Sequence, residues 1–231
     1  MFFDPLYFVL LVPAMVLAAI ATILTRTTFD KYSQYTASSG MTGAEAADRL
    51  LQQEGVRDVK IESVDGFLSD HYDPRSKTLR LSSAVYASRS LAAIGVACHE
   101  AGHALQHAHA YAPLQIRSAL VPATQIGSFG SYIFFMLGMF LRVPFLLKFG
   151  VLLFSLVVLF SIVTLPVEWD ASARAKRLMV RAGIVSPDEQ IMAGKVLNAA
   201  FMTYLASALT ALLTLLYYLI RSGLIGGRRN D

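Results

Sequence analysis

His99-Glu-Ala-Gly-His103 sets two imidazoles four residues apart, with a carboxylate next to the first. A helix advances about 100° per residue, so positions i and i+4 share a face and both rings can close on one tetrahedral metal ion. Glu100 lies outside that pair, which makes this the HExxH pattern of metal-assisted hydrolysis. The metal polarises a water, and the Glu takes its proton during attack on a carbonyl, then protonates the leaving amine. Two histidines and a glutamate in so apolar a stretch need such a partner, because burying them unpaired is costly. Cys98 is the single cysteine, which excludes an intramolecular disulfide and every multi-cysteine zinc pattern. The ligands must be His and carboxylate. Cys98 points about 100° away from its neighbour His99 and reads as a small buried side chain.

Two residues of different classes can supply a third ligand. His109 stands where HExxHxxGxxH places its last histidine, but that pattern uses a Gly to turn the chain back, and Gln106 occupies the place. Without Gly the left-handed turn costs about 1 to 2 kcal/mol, and an unbroken helix carries His109 away. His107 lies on the ligand face but one turn too far along, as a surface or supporting histidine. The second candidate is Glu168 in Leu165-Pro-Val-Glu-Trp-Asp-Ala-Ser172. Zinc sites of the His, His, Glu class take their Glu from a later helix, with a nearby Asp orienting a ligand, here Asp170. Chain topology favours Glu168.

The elements that must position these groups are set in a very apolar chain. Of 231 residues, 55% are hydrophobic and 16% charged, and the mean hydropathy is +0.52, which excludes an ordinary soluble or disordered domain. Four charge-free stretches reach the roughly 20 residues of a transmembrane helix: 5–25, 118–141, 149–167 and 196–220. The first carries no leading Lys or Arg and reads as an uncleaved anchor. Four crossings put 26–117 and 168–195 on one side, so the two polar segments can share a site; 142–148 and the basic tail 221–231 lie on the other. Lys and Arg near the spans, among them Arg26, Lys31, Arg117, Arg177 and Arg181 against Arg142, Lys148, Arg221, Arg228 and Arg229, favour a cytoplasmic polar domain. Phe2, Phe3, Tyr7, Tyr217 and Tyr218 suit interfacial anchoring. The net charge of +4 comes without a basic run, so anionic lipid fits better than nucleic acid as the polyanion.

Thr42-Gly-Ala-Glu45 has the spacing of a capping box, and Ala46, Ala47, Leu50 and Leu51 share the face of the helix it opens, which Gly55 stops. Alternating runs at 59–62 and 78–82, with the turn residues Asp73-Pro-Arg-Ser-Lys77 between them, predict a small antiparallel sheet. Its strand 78–82 is expected at an edge, open to an extended substrate. A single helix over 84–109, capped by Ser82 or Ser83, is expected to carry the histidines. Gly183 ends one helix, and Ser186-Pro-Asp-Glu189 opens the next. His71, Tyr72 and Arg174 are candidates to stabilise an oxyanion.

His99-Glu-Ala-Gly-His-Ala-Leu-Gln106 followed by Leu165-Pro-Val-Glu-Trp-Asp-Ala-Ser172 resembles the YugP-type neutral zinc metallopeptidases of bacterial membranes. Asp70-His-Tyr-Asp-Pro74, Thr78-Leu-Arg-Leu-Ser82 and Arg89-Ser-Leu-Ala-Ala93 carry the resemblance along nearly the whole chain. More loosely the chain is similar to HtpX-like and CAAX prenyl membrane proteases. The resemblance implies His99, His103 and Glu168 as ligands of one zinc ion and Glu100 as general base. The broader pattern has an Asp four residues after its later Glu; Ser172 stands there, and Asp170 is at +2.

The expected fold is a mainly α membrane protein, with four transmembrane helices and a small zincin-like α+β polar domain carrying the HExxH helix. It is expected in the bacterial plasma membrane, with a polypeptide substrate that is itself membrane-associated, since the run around His99 is uncharged. The competing reading is a non-catalytic zinc protein, a sensor or assembly factor. Glu100 discriminates between them, because a structural site closes all four positions with protein ligands and needs no free Glu beside it.

Overall fold

The computed structural model describes residues 4–66 and 69–226; Phe2, Phe3, Arg228 and Arg229 lie outside the described residues. Four helices are long and apolar enough to cross a membrane: α1 (Pro5–Tyr32), α5 (Ala112–Leu141), α6 (Pro144–Arg181) and α7 (Pro187–Arg221). Each contains one of the expected apolar runs and outlasts it. At 1.5 Å per residue even α1 is about 42 Å long, more than the roughly 30 Å of bilayer hydrocarbon. Large apolar side chains stand out from these helices, with Val9 69%, Phe129 72% and Phe140 78% exposed. Lipid is the solvent that such a surface fits. Arg142, at φ +55°, makes the tight turn between α5 and α6.

The chain divides into two compact units. The first comprises the described parts of Met1–Ile20, Ile116–Leu165 and Tyr204–Asp231. Phe135, Val151, Tyr217 and Tyr218 are buried together there, with Phe135 stacked on Tyr218 at 3.8 Å between ring centroids. Tyr217 Oη donates to Asp4 at 2.9 Å, and Arg221 donates to the same carboxylate.

The second unit, Ala21–Gln115 with Pro166–Thr203, holds the polar elements and every candidate ligand. Helix α2 (Gly43–Gln53) starts in the expected capping box, Thr42 Oγ1 accepting from Glu45 N and Glu45 from Thr42 N. Ala46, Ala47, Leu50 and Leu51 are buried in one core with residues of α4 (Leu91–Ala108). The sheet has strands β1 (Lys60–Val64), β2 (His71–Asp73) and β3 (Thr78–Ser82) in the order β1-β3-β2.

This corrects the antiparallel sheet expected from sequence. The turn after Asp73 joins β2 to β3, which pair antiparallel, whereas β1 pairs with β3 parallel. A three-residue strand is too short to register as an alternating run, so β2 was invisible and β1 was matched to the wrong partner. β3 is therefore the central strand, with its edges taken by β1 and β2, and it is closed to an added strand.

The single helix expected over 84–109 is also corrected. Helix α3 (Ser83–Tyr86) is one turn, and α4 begins afresh at Leu91 with Ser90 as its cap, accepting from Ala93 N at 3.2 Å. The break is bonded to the segment before α2: Leu91 N donates to Tyr35 O, Ala37 N to Arg89 O and Gly43 N to Ser88 O. Those tertiary bonds outweigh the helix propensity of an Ala-rich run. At the far end α4 stops at His109, and Ala110 turns at φ +50° into α5. Gly183, at φ +66°, ends α6, and Ser186 with Glu189 caps α7 reciprocally. Glu189 also accepts from Ser38 N and Oγ.

Candidate metal centre

Helix α4 presents His99 and His103 from one face, their rings edge-on with centroids 4.8 Å apart. Helix α6 brings Glu168 to them from 69 residues further along. Glu168 Oε2 lies 3.2 Å from His99 Nε2 and 3.6 Å from His103 Nε2. Glu168 is 1% exposed. The three side chains offer ligand atoms that all lie within 4.8 Å of one another. Ligands about 2.0–2.2 Å from a tetrahedral zinc stand about 3.4 Å apart, so the separations of 3.2 and 3.6 Å match that spacing.

Donor chemistry gives the same fit. The Nδ1 atoms face away from the carboxylate: that of His103 bonds Gln106 Oε1 at 3.0 Å and that of His99 bonds Ser172 Oγ at 3.0 Å. Both Nε2 atoms are thus left for whatever lies beside Glu168, and their lone pairs cannot face a carboxylate unless a cation or a proton stands between. Burial alone pushes the His103 imidazolium down. The Glu168 carboxylate more than offsets this, with smaller help from Glu100 and Gln106, and the value is raised above the ordinary 6.5.

The sign of the resulting pH dependence follows. A raised folded value means that the His103 contact stabilises the metal-free fold fully below the unfolded value, and that this increment is lost as pH rises through the folded value. Denaturant midpoints of zinc-free protein from about pH 5 to about pH 9 should fall relative to a His103→Ala control. A difference that grew with pH would contradict the pairing.

Close approach of α4 and α6 makes the ligand set possible. A Cβ on Gly102 would sit 2.7 Å from Ala171 O and 3.2 Å from Ala171 Cα, backbone atoms that cannot swing aside. Gly102→Ala is expected to cost about 1 to 3 kcal/mol through forced separation of the helices and to weaken zinc binding by moving Glu168. Thermal unfolding and chelator competition measure the two effects, and unchanged values for both would show that the helices yield freely.

The other sequence candidates are placed as follows. Glu100 is 9% exposed, and among the described residues no hydrogen bond or ion pair holds its carboxylate. His109 is the exposed C-cap of α4, and its Nδ1 accepts from Arg174 Nη1 at 3.2 Å; it is outside the ligand group. His107 Nδ1 bonds Tyr72 Oη at 2.9 Å, tying β2 to α4. His71 Nδ1 donates to Ser69 O. Asp170 touches no ligand; it accepts from Gln106 Nε2 at 2.8 Å and from Arg174 Nε at 2.6 Å. Burial pushes the Cys98 thiol up to about 12, which leaves it protonated and inert.

Gln106 and Ser172 are the residues that sequence reasoning missed as ring holders. The available signals were a Gln three residues after a ligand within an apolar helical run, and a hydroxyl one turn after Glu168.

A family model described as "putative neutral zinc metallopeptidase" matches residues 7–223. The chain belongs to this family. As a member of the neutral zinc metallopeptidase family it is similar to a relative named "Putative membrane protease YugP" from Bacillus subtilis (strain 168). The two are 43% identical over 215 residues, covering 93% of this chain and 96% of the relative. No solved structure matches the chain. Family membership implies zinc as the metal, and the donor set of two imidazoles and a carboxylate is one that zinc accepts. The four apolar helices agree with a membrane relative.

Proposed function

We propose that the protein is a zinc-dependent membrane endopeptidase of the HExxH class with a downstream Glu ligand. His99, His103 and Glu168 hold one zinc ion, and Glu100 is the general base. The observation that carries this reading is the convergence of the two Nε2 atoms on Glu168 while the Glu100 carboxylate, on the same helix as the histidines, is unengaged among the described residues. When bound, zinc supplies a Lewis acid that polarises a carbonyl and acidifies a water. His99 and His103 give their Nε2 lone pairs. Glu168 balances part of the ion's charge and leaves a fourth position for water or substrate. Glu100 accepts the proton of the attacking water and passes it to the leaving amine. Gln106 and Ser172 hold the two rings from behind.

The polar unit carrying these groups resembles a zincin in its logic of helix, histidine pair and later carboxylate. It faces the cytoplasm of a bacterial plasma membrane, and its substrate is a membrane-associated polypeptide that enters beside the apolar helix α4. With β3 closed on both edges, an extended substrate pairs elsewhere.

The test is elemental analysis of purified protein together with casein and peptide-library cleavage. One zinc per chain is expected, with hydrolysis abolished by chelator and restored by zinc. His109→Ala should keep its metal. Zinc bound without chelator-sensitive cleavage would instead support the non-catalytic sensor or assembly factor. Comparing the membrane proteomes of active and Glu100→Gln cells tests the substrate class, and a purified enzyme that cut only soluble peptides would overturn it.

A further inference from the structure

We infer that Gln106 is a positioning residue that decides which nitrogen of His103 is free for the metal, and that Asp170 and Arg174 hold Gln106 to that task. The inference rests on the metal site proposed above and deepens it. An amide side chain presents an acceptor at one end and two donors at the other, and its orientation is set by what it faces. Gln106 Nε2 faces Val167 O at 2.8 Å and Asp170 Oδ2 at 2.8 Å. The backbone carbonyl is an acceptor only, and so is the Asp170 carboxylate. A flipped amide would set oxygen against both, so the donors must lie on that side. Oε1 is thereby turned toward His103 Nδ1 at 3.0 Å, and it can only accept. Nδ1 must carry the ring proton, which leaves the lone pair of the neutral ring on Nε2, the atom that faces Glu168.

The chain of constraint continues outward. Arg174 Nε donates to the same Asp170 oxygen at 2.6 Å, and Arg174 is steadied in turn by His109 Nδ1 and by the ring of Tyr111 at 5.8 Å. Gln106 is 0% exposed, so water does not compete for any of its bonds. His99 is held differently. Its Nδ1 meets a serine hydroxyl, Ser172 Oγ, which can donate or accept, so nothing behind the ring fixes its tautomer and only the Glu168 contact at Nε2 bears on it. The site thus has one histidine whose metal-facing nitrogen is set from behind and one for which it is not. A carboxylate acting through an interposed amide also orients His103 without placing a second full negative charge against the ring.

The experiment uses full-length protein in lipid nanodiscs with 15N-labelled histidine. In zinc-free Glu168→Ala protein, where no carboxylate faces Nε2, long-range 1H–15N spectra at a pH where His103 is neutral should show its Nδ1 protonated and Nε2 bare. Gln106→Met should lower zinc affinity about 10- to 100-fold in chelator competition, and in the zinc-free Glu168→Ala background it should mix the His103 tautomers. Gln106→Glu, which sets oxygen against Val167 O and Asp170, should not restore affinity. A Gln106 that only packs predicts the same His103 tautomer with and without it.

Wild-type affinity in Gln106→Met, or an unchanged His103 tautomer in its zinc-free Glu168→Ala background, would overturn the inference, as would a mixed His103 tautomer in zinc-free Glu168→Ala. Should Gln106→Met fail to fold, the Glu168→Ala spectra still decide. Wild-type protein that bound no zinc would overturn the proposed function, while the tautomer measurement would stand separately.

Discussion

Glu100→Gln is expected to keep its zinc and to lose peptide hydrolysis by about 10²- to 10⁴-fold, the range of a general base. In barrier terms this is about 3 to 5 kcal/mol. Gln has the size of Glu, and the Glu100 carboxylate makes no hydrogen bond among the described residues whose loss would disturb α4. What disappears is the ability to take a proton from water, because an amide is not basic at neutral pH. The loss should fall on kcat, with KM little changed, since Glu100 acts on the water rather than on substrate binding. Zinc content and single-turnover cleavage on one preparation make the measurement. Metal lost along with activity would make Glu100 a ligand, and full activity would place the base elsewhere.

Glu168→Ala is the second large effect, and it runs through the metal. Removing the carboxylate leaves two imidazoles, which is one ligand too few for a tightly held catalytic zinc. Zinc per chain should fall close to zero after dialysis, and cleavage should fall with it. The metal-free fold is affected as well. His103 is 7% exposed, and its raised value depends on Glu168. Without that partner burial acts on the ring alone and favours its neutral form, so the metal-free fold loses the ion pair rather than keeping an unpaired charge. Glu168→Gln separates the two consequences, keeping shape and a neutral contact while losing most of the metal. Retention of stoichiometric zinc by Glu168→Ala, with loss in His109→Ala instead, would reassign the third ligand.

The parts of this molecule legible in sequence are those written locally. The capping box at Thr42, the caps around Gly183 and Ser186, and the four apolar runs each depend on neighbours within a few residues. The relation of His99 to His103 is local as well, because helical periodicity alone puts them on one face. Glu168 could be chosen over His109 from chain topology and from Gln106 standing where a turn-forming Gly belongs, and the structure brings Glu168 to the histidines. The errors all involve partners distant in sequence. The break at 87–90 exists because Ser88, Arg89 and Leu91 exchange backbone bonds with Gly43, Ala37 and Tyr35, each more than forty residues away. β1 pairs parallel because β2, three residues long, takes the other edge of β3. Asp170 was expected to orient a ligand directly; it bonds Gln106 instead, and nothing in sequence spacing reveals that bond, which joins positions 64 apart.

That His99 and Glu168 are 69 residues apart, with α5 and the apolar part of α6 in between, bears on the birth of the protein. A ribosome adding about 5 to 20 residues per second needs roughly 3 to 14 s to move from one to the other. During that interval the nascent chain holds two histidines and a glutamate but no third ligand. The candidate metal centre can be completed only once Glu168 has been made. If the proposed peptidase reading holds, a newly synthesised chain is thereby kept from cutting its own unfinished copy, or the insertion machinery around it, by the order in which its residues are translated.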